Sequence, residues 1–166
     1  MIKLIGILSI VFSAGLIGIM SAERLKKRAS ELSLIGYMID EISILIRFKA
    51  MPVYEIATLL KAGKSGEKLD FIKKLDDSGT TSFSKAWEKS VTECQSPLSE
   101  TDKALLISFG SSLGTSDIDG QLSTLEMYKT SFKKLEKDAL KICEEKSRLY
   151  RSMGFLTGAF ISVMLI

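Results

Sequence analysis

The side chains that most often perform enzymatic chemistry are sparse in this sequence. The chain of 166 residues contains no histidine, which removes the commonest general base, the usual activator of serine and cysteine nucleophiles and a favoured zinc ligand. No phosphate-binding glycine loop, GxSxG motif or HExxH motif is present. Asp40 and Glu41 are adjacent carboxylates, but neighbouring residues on a helix point about 100° apart and do not converge. We therefore predict a non-enzymatic protein with no catalytic residue, metal ligand or cofactor; an enzyme using paired carboxylates is the least favoured alternative.

The two cysteines do not form a recognisable redox or metal motif. Cys94 and Cys143 are far apart in sequence, and neither belongs to a CxxC pair. In a domain that faces the cytoplasm, such cysteines are expected to be reduced and partly buried thiols.

Recognition of a charged partner has more candidates than catalysis. The acidic residues concerned are Glu31, Asp40, Glu41 and Glu55. Asp40 and Glu41 interrupt an apolar run, and a carboxylate in apolar surroundings is costly to desolvate unless it is paired. One interpretation is pairing within the domain, for instance of Glu41 with Arg47 or with a lysine of the last helix. The other is an acidic patch that receives basic residues of a cytoplasmic partner and mainly sets orientation and association rate.

The distribution of charge divides the chain into three parts. Residues 4–22 and 152–166 carry no charge, whereas residues 23–151 contain all 20 acidic residues and 22 of the 23 basic ones. The middle is therefore nearly neutral, which opposes binding to nucleic acid. We predict an N-terminal transmembrane anchor at 1–22, a helical domain at 23–151 and a C-terminal membrane segment at 152–166.

The charges that flank the apolar segments predict the orientation. Four basic residues follow the first segment, namely Arg24, Lys26, Lys27 and Arg28, and three precede the second, namely Lys146, Arg148 and Arg151. The first apolar run has 19 residues, longer than the roughly 7–15 of a signal peptide, so a retained anchor is favoured over a cleaved one. The positive-inside rule then places the domain in the cytoplasm. The second run has 15 residues, and a buried or interfacial helix is its alternative.

Helical periodicity and helix-end signals predict an all-α, six-helix bundle for the middle part. Apolar residues recur at spacings of three and four from residue 25 to residue 46, and Leu34, Tyr37 and Phe48 add apolar surface on another side, so we expect the second half of this helix to be surrounded. Five of the predicted helices cover residues 23–49, 53–62, 68–75, 101–112 and 121–150. The remaining one, fourth in order, is capped by Ser82 and has Phe83, Trp87 and Val91 on one face, and a near capping box of Ser99 and Asp102 opens the fifth. The first and last continue into the apolar segments.

The turn between the last two predicted helices contains four candidate structural residues. Gly114 is expected to adopt a backbone conformation that other residues avoid and to end the fifth helix. Asp117 or Asp119 is expected to cap the sixth, which begins at Gln121.

Three segments of the sequence resemble one known family. LGTSDIDGQ at residues 113–121 resembles the Leu-Gly-x-x-Asp-x-x-x-Gln turn of the stage III sporulation protein AB family, and LYRSMG at residues 149–154 resembles its entry into the last apolar segment. MPVYE at residues 51–55 is similar to its Thr-Pro-Leu-x-Glu helix start, with Val53 and Ile56 in place of the usual Leu and Ala. The opening MIKLIG is similar as well. The resemblance spans the whole chain, and the turn and the C-terminal entry are its specific parts.

The resemblance implies a fold and a function that the composition alone does not. That family resembles the F protein, the inner-membrane platform protein of type II secretion machines. It implies a platform component of the channel between mother cell and forespore of an endospore-forming bacterium, in the outer forespore membrane on the mother-cell side. The implied partners are the membrane, a hexameric secretion-type ATPase, other membrane proteins of the channel and, in a homo-oligomer, further copies of the chain. A membrane-anchored regulator that binds a small effector is the alternative, and it would need a pocket with convergent polar groups.

Overall fold

The computed structural model of this chain contains helices and no strands over the residues that it describes. Backbone is described for residues 2–49, 51–76, 78–79 and 81–164, and side chains for 23–48, 51–76, 78–79, 81–146 and 149. The helices are α1 (Ile2–Lys49), α2 (Val53–Ala62), α3 (Lys64–Lys68), α4 (Asp70–Lys74), α5 (Phe83–Glu93), α6 (Glu100–Ser112) and α7 (Ile118–Met164). The prediction of an all-α fold is therefore confirmed.

The predicted count of six helices is not confirmed, because the described residues form seven. The third helix expected at 68–75 corresponds to α4 (Asp70–Lys74), and α3 (Lys64–Lys68) precedes it. Leu69 separates α3 from α4 with an extended backbone (φ −101°, ψ 111°), and its side chain is fully buried. Gly66 in α3 lies so close to α2 that a Cβ atom there would be 2.1 Å from the carbonyl oxygen of Lys61. The extended backbone of Leu69 therefore ends α3 and precedes α4, a break that the sequence did not predict.

The structure divides into two compact units. One comprises residues 28–137 and the other residues 1–27 together with 138–166. Among the residues with described side chains, no helical stretch is long and apolar enough to cross a membrane. The predicted membrane segments, 1–22 and 152–166, lie outside that part of the chain, and the predicted boundaries at 22 and 151 stay predictions.

The core of the unit formed by residues 28–137 is built around Trp87. Its ring is fully buried and lies 5.4 Å from that of Phe71, 5.6 Å from Phe83 and 5.8 Å from Phe109, measured between centroids. The indole Nε1 donates a hydrogen bond to the carbonyl oxygen of Leu106 at 2.8 Å. One aromatic side chain therefore ties together α4, α5 and α6.

The inner face of α1 contributes the aliphatic part of the same core. Leu32, Ile35, Ile39 and Ile42 are at most 1% exposed, and they follow the spacing of three and four residues that the sequence shows. The interior face of α7 is marked by Leu125, Tyr128 and Phe132, which are also buried.

Candidate partner-binding surface

The side of α1 opposite this core face is apolar and exposed. Tyr37 is 69% exposed, Ile44 58% and Phe48 77%. Together with Glu41 they lie at spacings of four, three and four residues, so they form one stripe along the helix; we call Tyr37, Glu41, Ile44 and Phe48 the outer strip. The prediction that this half of α1 is surrounded is wrong at these positions. The exposure of the three apolar side chains of the outer strip, Tyr37, Ile44 and Phe48, marks it as a candidate interaction surface.

A groove runs between the outer strip and α7. Its volume is about 690 Å³, and its lining includes Ile44, Phe48 and Leu122 as apolar residues and Asp40, Arg47 and Glu126 as charged ones. Asp40 is neutralised there, because the Nζ atom of Lys129 lies 2.6 Å from its Oδ1. The hydrogen bond to Asp40 raises the pKa of Lys129. This groove therefore combines apolar and charged lining residues, and one of its acids, Asp40, is held in an ion pair.

A second groove runs between the outer strip and α3. Its volume is about 510 Å³, and its lining includes Leu34, Tyr37, Glu41, Lys64 and Lys68. Ser65, also in the lining, donates its hydroxyl hydrogen to Glu41 Oε2 at 3.0 Å. The carboxylate of Glu41 is therefore fixed within the domain rather than projecting freely.

The four acidic residues predicted to bind a partner do not form one patch. Glu31 accepts a hydrogen bond of 2.7 Å from Ser96 in the connection between α5 and α6, whereas Asp40 pairs with α7 and Glu41 with α3. Burial raises the pKa of Glu31, and the bond from Ser96 offsets this only in part. Glu55 is exposed in the first turn of α2. Asp40 and Glu41 are adjacent in sequence, but they line different grooves and have partners on different helices. The structure therefore does not gather the four residues into one site, and partner binding by them stays a prediction.

The predicted turn has its special conformation at Gly114, whose φ is +78°. A Cβ atom there would lie 2.9 Å from Val53 Cγ2 at the start of α2. Asp117 caps α7, because its Oδ1 accepts a hydrogen bond from the backbone N–H of Gly120 at 3.1 Å. The Gln121 amide donates to the Ser116 carbonyl oxygen at 2.8 Å. The last helix therefore starts at Ile118, three residues before its predicted start, with Asp119 exposed in its first turn.

Seven basic residues were predicted to set the membrane orientation. Those whose side chains are described differ in exposure and in their partners. Arg24, Lys26, Lys27 and Lys146 are exposed, and Lys27 lies 3.9 Å from Glu23. Arg28 instead binds Asp102 through two nitrogens, at 2.6 Å and 2.9 Å. Arg148 and Arg151 lie outside the residues with described side chains.

Asp102 is a buried acid whose role in the tertiary structure the sequence did not reveal. It is fully buried, and besides Arg28 it accepts the backbone N–H of Ser99 at 2.8 Å while its own N–H donates to the Ser99 hydroxyl. Burial alone would raise the pKa of Asp102, but the hydrogen bonds from Arg28 and Ser99 outweigh it and lower the pKa. The spacing of Ser99 and Asp102 predicted the helix cap. Nothing in the neighbouring sequence predicted the ion pair between Asp102 and Arg28, because the two residues are 74 positions apart.

The comparisons with known proteins agree on one family. The sequence model described as stage III sporulation protein AB matches residues 3–166, nearly the entire chain. This chain belongs to the stage III sporulation protein AB family. It is similar to stage III sporulation protein AB of Bacillus subtilis (strain 168), with 25% identity over 172 residues and complete coverage of both chains.

A solved structure of a stage III sporulation protein AB shares the fold. The TM-score is 0.57 at 22% identity, and the match covers 71% of this chain and 97% of the other. At 22% identity this structural similarity supports the fold and nothing beyond it. Membership of the stage III sporulation protein AB family gives this chain a role in sporulation.

The described residues of this family member offer little for metal or thiol chemistry. No group of three or more Cys, Asp or Glu side chains among them could hold a metal ion. Cys94 is buried and donates its thiol hydrogen to the Val91 carbonyl oxygen, and burial raises the pKa of the Cys94 thiol. A raised thiol pKa lowers the thiolate fraction and hence the reactivity.

Proposed function

We propose that this chain is a non-enzymatic platform component of the sporulation channel between mother cell and forespore. In this proposal residues 1–22 and 152–166 hold it in the outer forespore membrane on the mother-cell side. Its helical domain then engages a secretion-type ATPase in the cytoplasm, beside other membrane proteins of the channel. The family assignment supports the sporulation role, and the resemblance of the family to the type II secretion F protein supports the remainder.

The observation that carries the assembly role is the outer strip. Three large apolar side chains on one helix face are each more than half exposed, and a groove borders them on each side. Large apolar side chains that lie together on a protein surface often mark a site that another molecule covers. An enzyme would instead need converging reactive groups, and the chain has no histidine to supply the commonest of them.

Co-purification with the ATPase tests the central part of the proposal. The full chain in detergent micelles and the ATPase from the same bacterium would be mixed and separated by size-exclusion chromatography. We expect one co-eluting peak, and we expect Phe48→Ser to weaken it because that side chain is the most exposed of the strip. Met127→Ser is the matched control, since Met127 is 56% exposed on α7. Absence of a complex with the unaltered chain would refute engagement of the ATPase.

A reporter fusion tests the membrane orientation separately. Ser78 is exposed in the connection between α4 and α5, so a reporter inserted there should not disturb packing. The positive-inside rule predicts a cytoplasmic location for this position. Activity restricted to an exported reporter would reject the orientation, whatever the outcome with the ATPase.

A further inference from the structure

Three cations border the outer strip without an acidic partner in the described chain. Lys64 and Lys68 line the groove between α1 and α3, and Arg47 lines the groove between α1 and α7. All three are exposed. Lys64 and Lys68 are one helical turn apart on α3, so they project on the same side.

The neighbouring acids are mostly engaged elsewhere. Lys129 neutralises Asp40 at 2.6 Å, and Ser65 holds the carboxylate of Glu41 at 3.0 Å. Glu126 is the remaining acid in the lining of the α7 groove. The hydroxyl group of Ser65 is neutral, so Glu41 keeps its charge. Apart from the Asp40–Lys129 ion pair, the charged residues that line the two grooves are therefore three cations and two anions, and the border carries one net positive charge. This sign is opposite to that of the acidic patch predicted from the sequence.

We propose that the outer strip docks an acidic amphipathic α-helix of a partner protein. Apolar residues of that helix, at spacings of three and four, would pack between Tyr37, Ile44 and Phe48. Its flanking carboxylates would face Lys64 and Lys68 on one edge and Arg47 on the other. The inference rests on the proposed function only in expecting an assembly partner, and that partner need not be the ATPase.

The length and composition of the strip favour a protein helix over other occupants. The outer strip extends over the 12 residues from Tyr37 to Phe48. The 11 steps between them give a length of roughly 16 Å at 1.5 Å per residue, which matches about three turns of a partner helix. If the outer strip inserted into lipid, the Glu41 carboxylate would be transferred into an apolar phase, and the free-energy cost of that transfer is high. A second copy presenting the same strip would oppose like cations to like cations and Glu41 to Glu41, which is unfavourable.

Photo-cross-linking in sporulating cells tests this proposal. The full chain would be produced as the only copy, with a photoreactive phenylalanine derivative at position 37, and the adduct would be mapped by mass spectrometry. We expect the cross-linked peptide to be a helix with apolar residues at spacings of three and four and acidic residues at its edges. In Lys64→Glu/Lys68→Glu the yield of this adduct should fall about tenfold, which is the effect of losing 1.4 kcal/mol of binding free energy.

The matched control is Lys85→Glu/Lys89→Glu. These lysines are also exposed and one turn apart, but they lie on α5, so adduct yield and spore counts should stay within about twofold of the unaltered chain, a change below about 0.4 kcal/mol. Replacing the mapped partner carboxylates with lysine should restore the adduct in Lys64→Glu/Lys68→Glu.

Several results would overturn the proposal. They are an adduct with lipid, with a second copy or with a segment that lacks acidic residues; an adduct that survives the Lys64→Glu/Lys68→Glu change; and no adduct in cells that sporulate normally. Cross-linking to an acidic helix of a protein other than the ATPase would support this inference, and engagement of the ATPase would still be decided by the co-purification experiment. Co-elution with the ATPase without any adduct from position 37 would support the proposed function and overturn this inference.

Discussion

Replacing Gly110 with alanine adds one methyl group at the tightest contact of the core. An ideal Cβ atom at this position would lie 2.1 Å from Cδ1 of Trp87, far inside van der Waals contact. Trp87 cannot move away freely, because Phe71, Phe83 and Phe109 surround it. The substitution must therefore displace either the indole ring or α6.

The expected cost combines three terms. Overpacking of a dense core costs about 1–3 kcal/mol. If the indole shifts, its Nε1 loses the Leu106 carbonyl oxygen, and an unsatisfied buried donor costs about 1–3 kcal/mol. Alanine favours a helix interior over glycine by up to about 1 kcal/mol. The net expectation for Gly110→Ala is a loss of roughly 1–5 kcal/mol in the free energy of unfolding.

Gly36→Ala is the matched control. Gly36 also lies within a helix, but a Cβ atom there would meet nothing within 4 Å. Only the propensity term remains, so this variant should be unchanged or stabilised by up to about 1 kcal/mol.

The assay is urea and thermal unfolding of the full chain in detergent micelles, followed by circular dichroism and by the fluorescence of Trp87. This residue is the single tryptophan of the chain, so its emission reports directly on the packing in question. In this 166-residue chain Gly110→Ala should lower the melting temperature by about 2–4 °C for each kcal/mol lost. If Gly110→Ala is as stable as Gly36→Ala, the proposed contact between Gly110 and Trp87 is wrong.

Three further variants test local electrostatics and backbone conformation. Asp102→Asn should destabilise the chain by about 1.5–3 kcal/mol at neutral pH, because Arg28 loses its charged hydrogen bonds to the Asp102 carboxylate. Since the pKa of Asp102 is lowered on folding, this stabilisation is lost as pH falls from the ordinary aspartate pKa through the folded-state pKa. A melting temperature that does not change with pH in that range would contradict this prediction. The pKa of Glu31 is raised on folding, so its ionised carboxylate destabilises the fold as pH rises through the ordinary glutamate pKa and then the higher folded-state pKa. Glu31→Gln should therefore raise the melting temperature at pH 7 more than at pH 4. Gly114→Val should cost at least about 1–3 kcal/mol, through backbone strain and through the contact of the new side chain with α2. Gly79→Ala is the comparison: Gly79 has a φ of +74° and nothing lies within 4 Å of the added Cβ atom, so this variant should cost only the strain. Equal melting temperatures of the two variants would show that the contact with α2 contributes nothing.

Local features of this protein followed directly from the sequence. The bounds predicted for α2, 53–62, are those of the structure, because Pro52 and Gly63 act on the backbone within one turn. The Ser99–Asp102 capping box also formed, whereas Ser82 precedes α5 without a capping hydrogen bond from its side chain. Signals of this kind involve groups a few residues apart, so their geometry is fixed before the helices pack.

The surface that carries the proposed function was decided by the tertiary structure. Periodicity revealed apolar residues on two sides of α1, but only packing showed that Leu32 and Ile39 are covered while Tyr37 and Phe48 face solvent. The partners of Asp40 and Arg28 lie 89 and 74 residues away in sequence, on α7 and α6. A sequence pattern defines which face of a helix is apolar or charged. What lies against that face depends on how distant segments pack, and this determined which charges remained available to a partner.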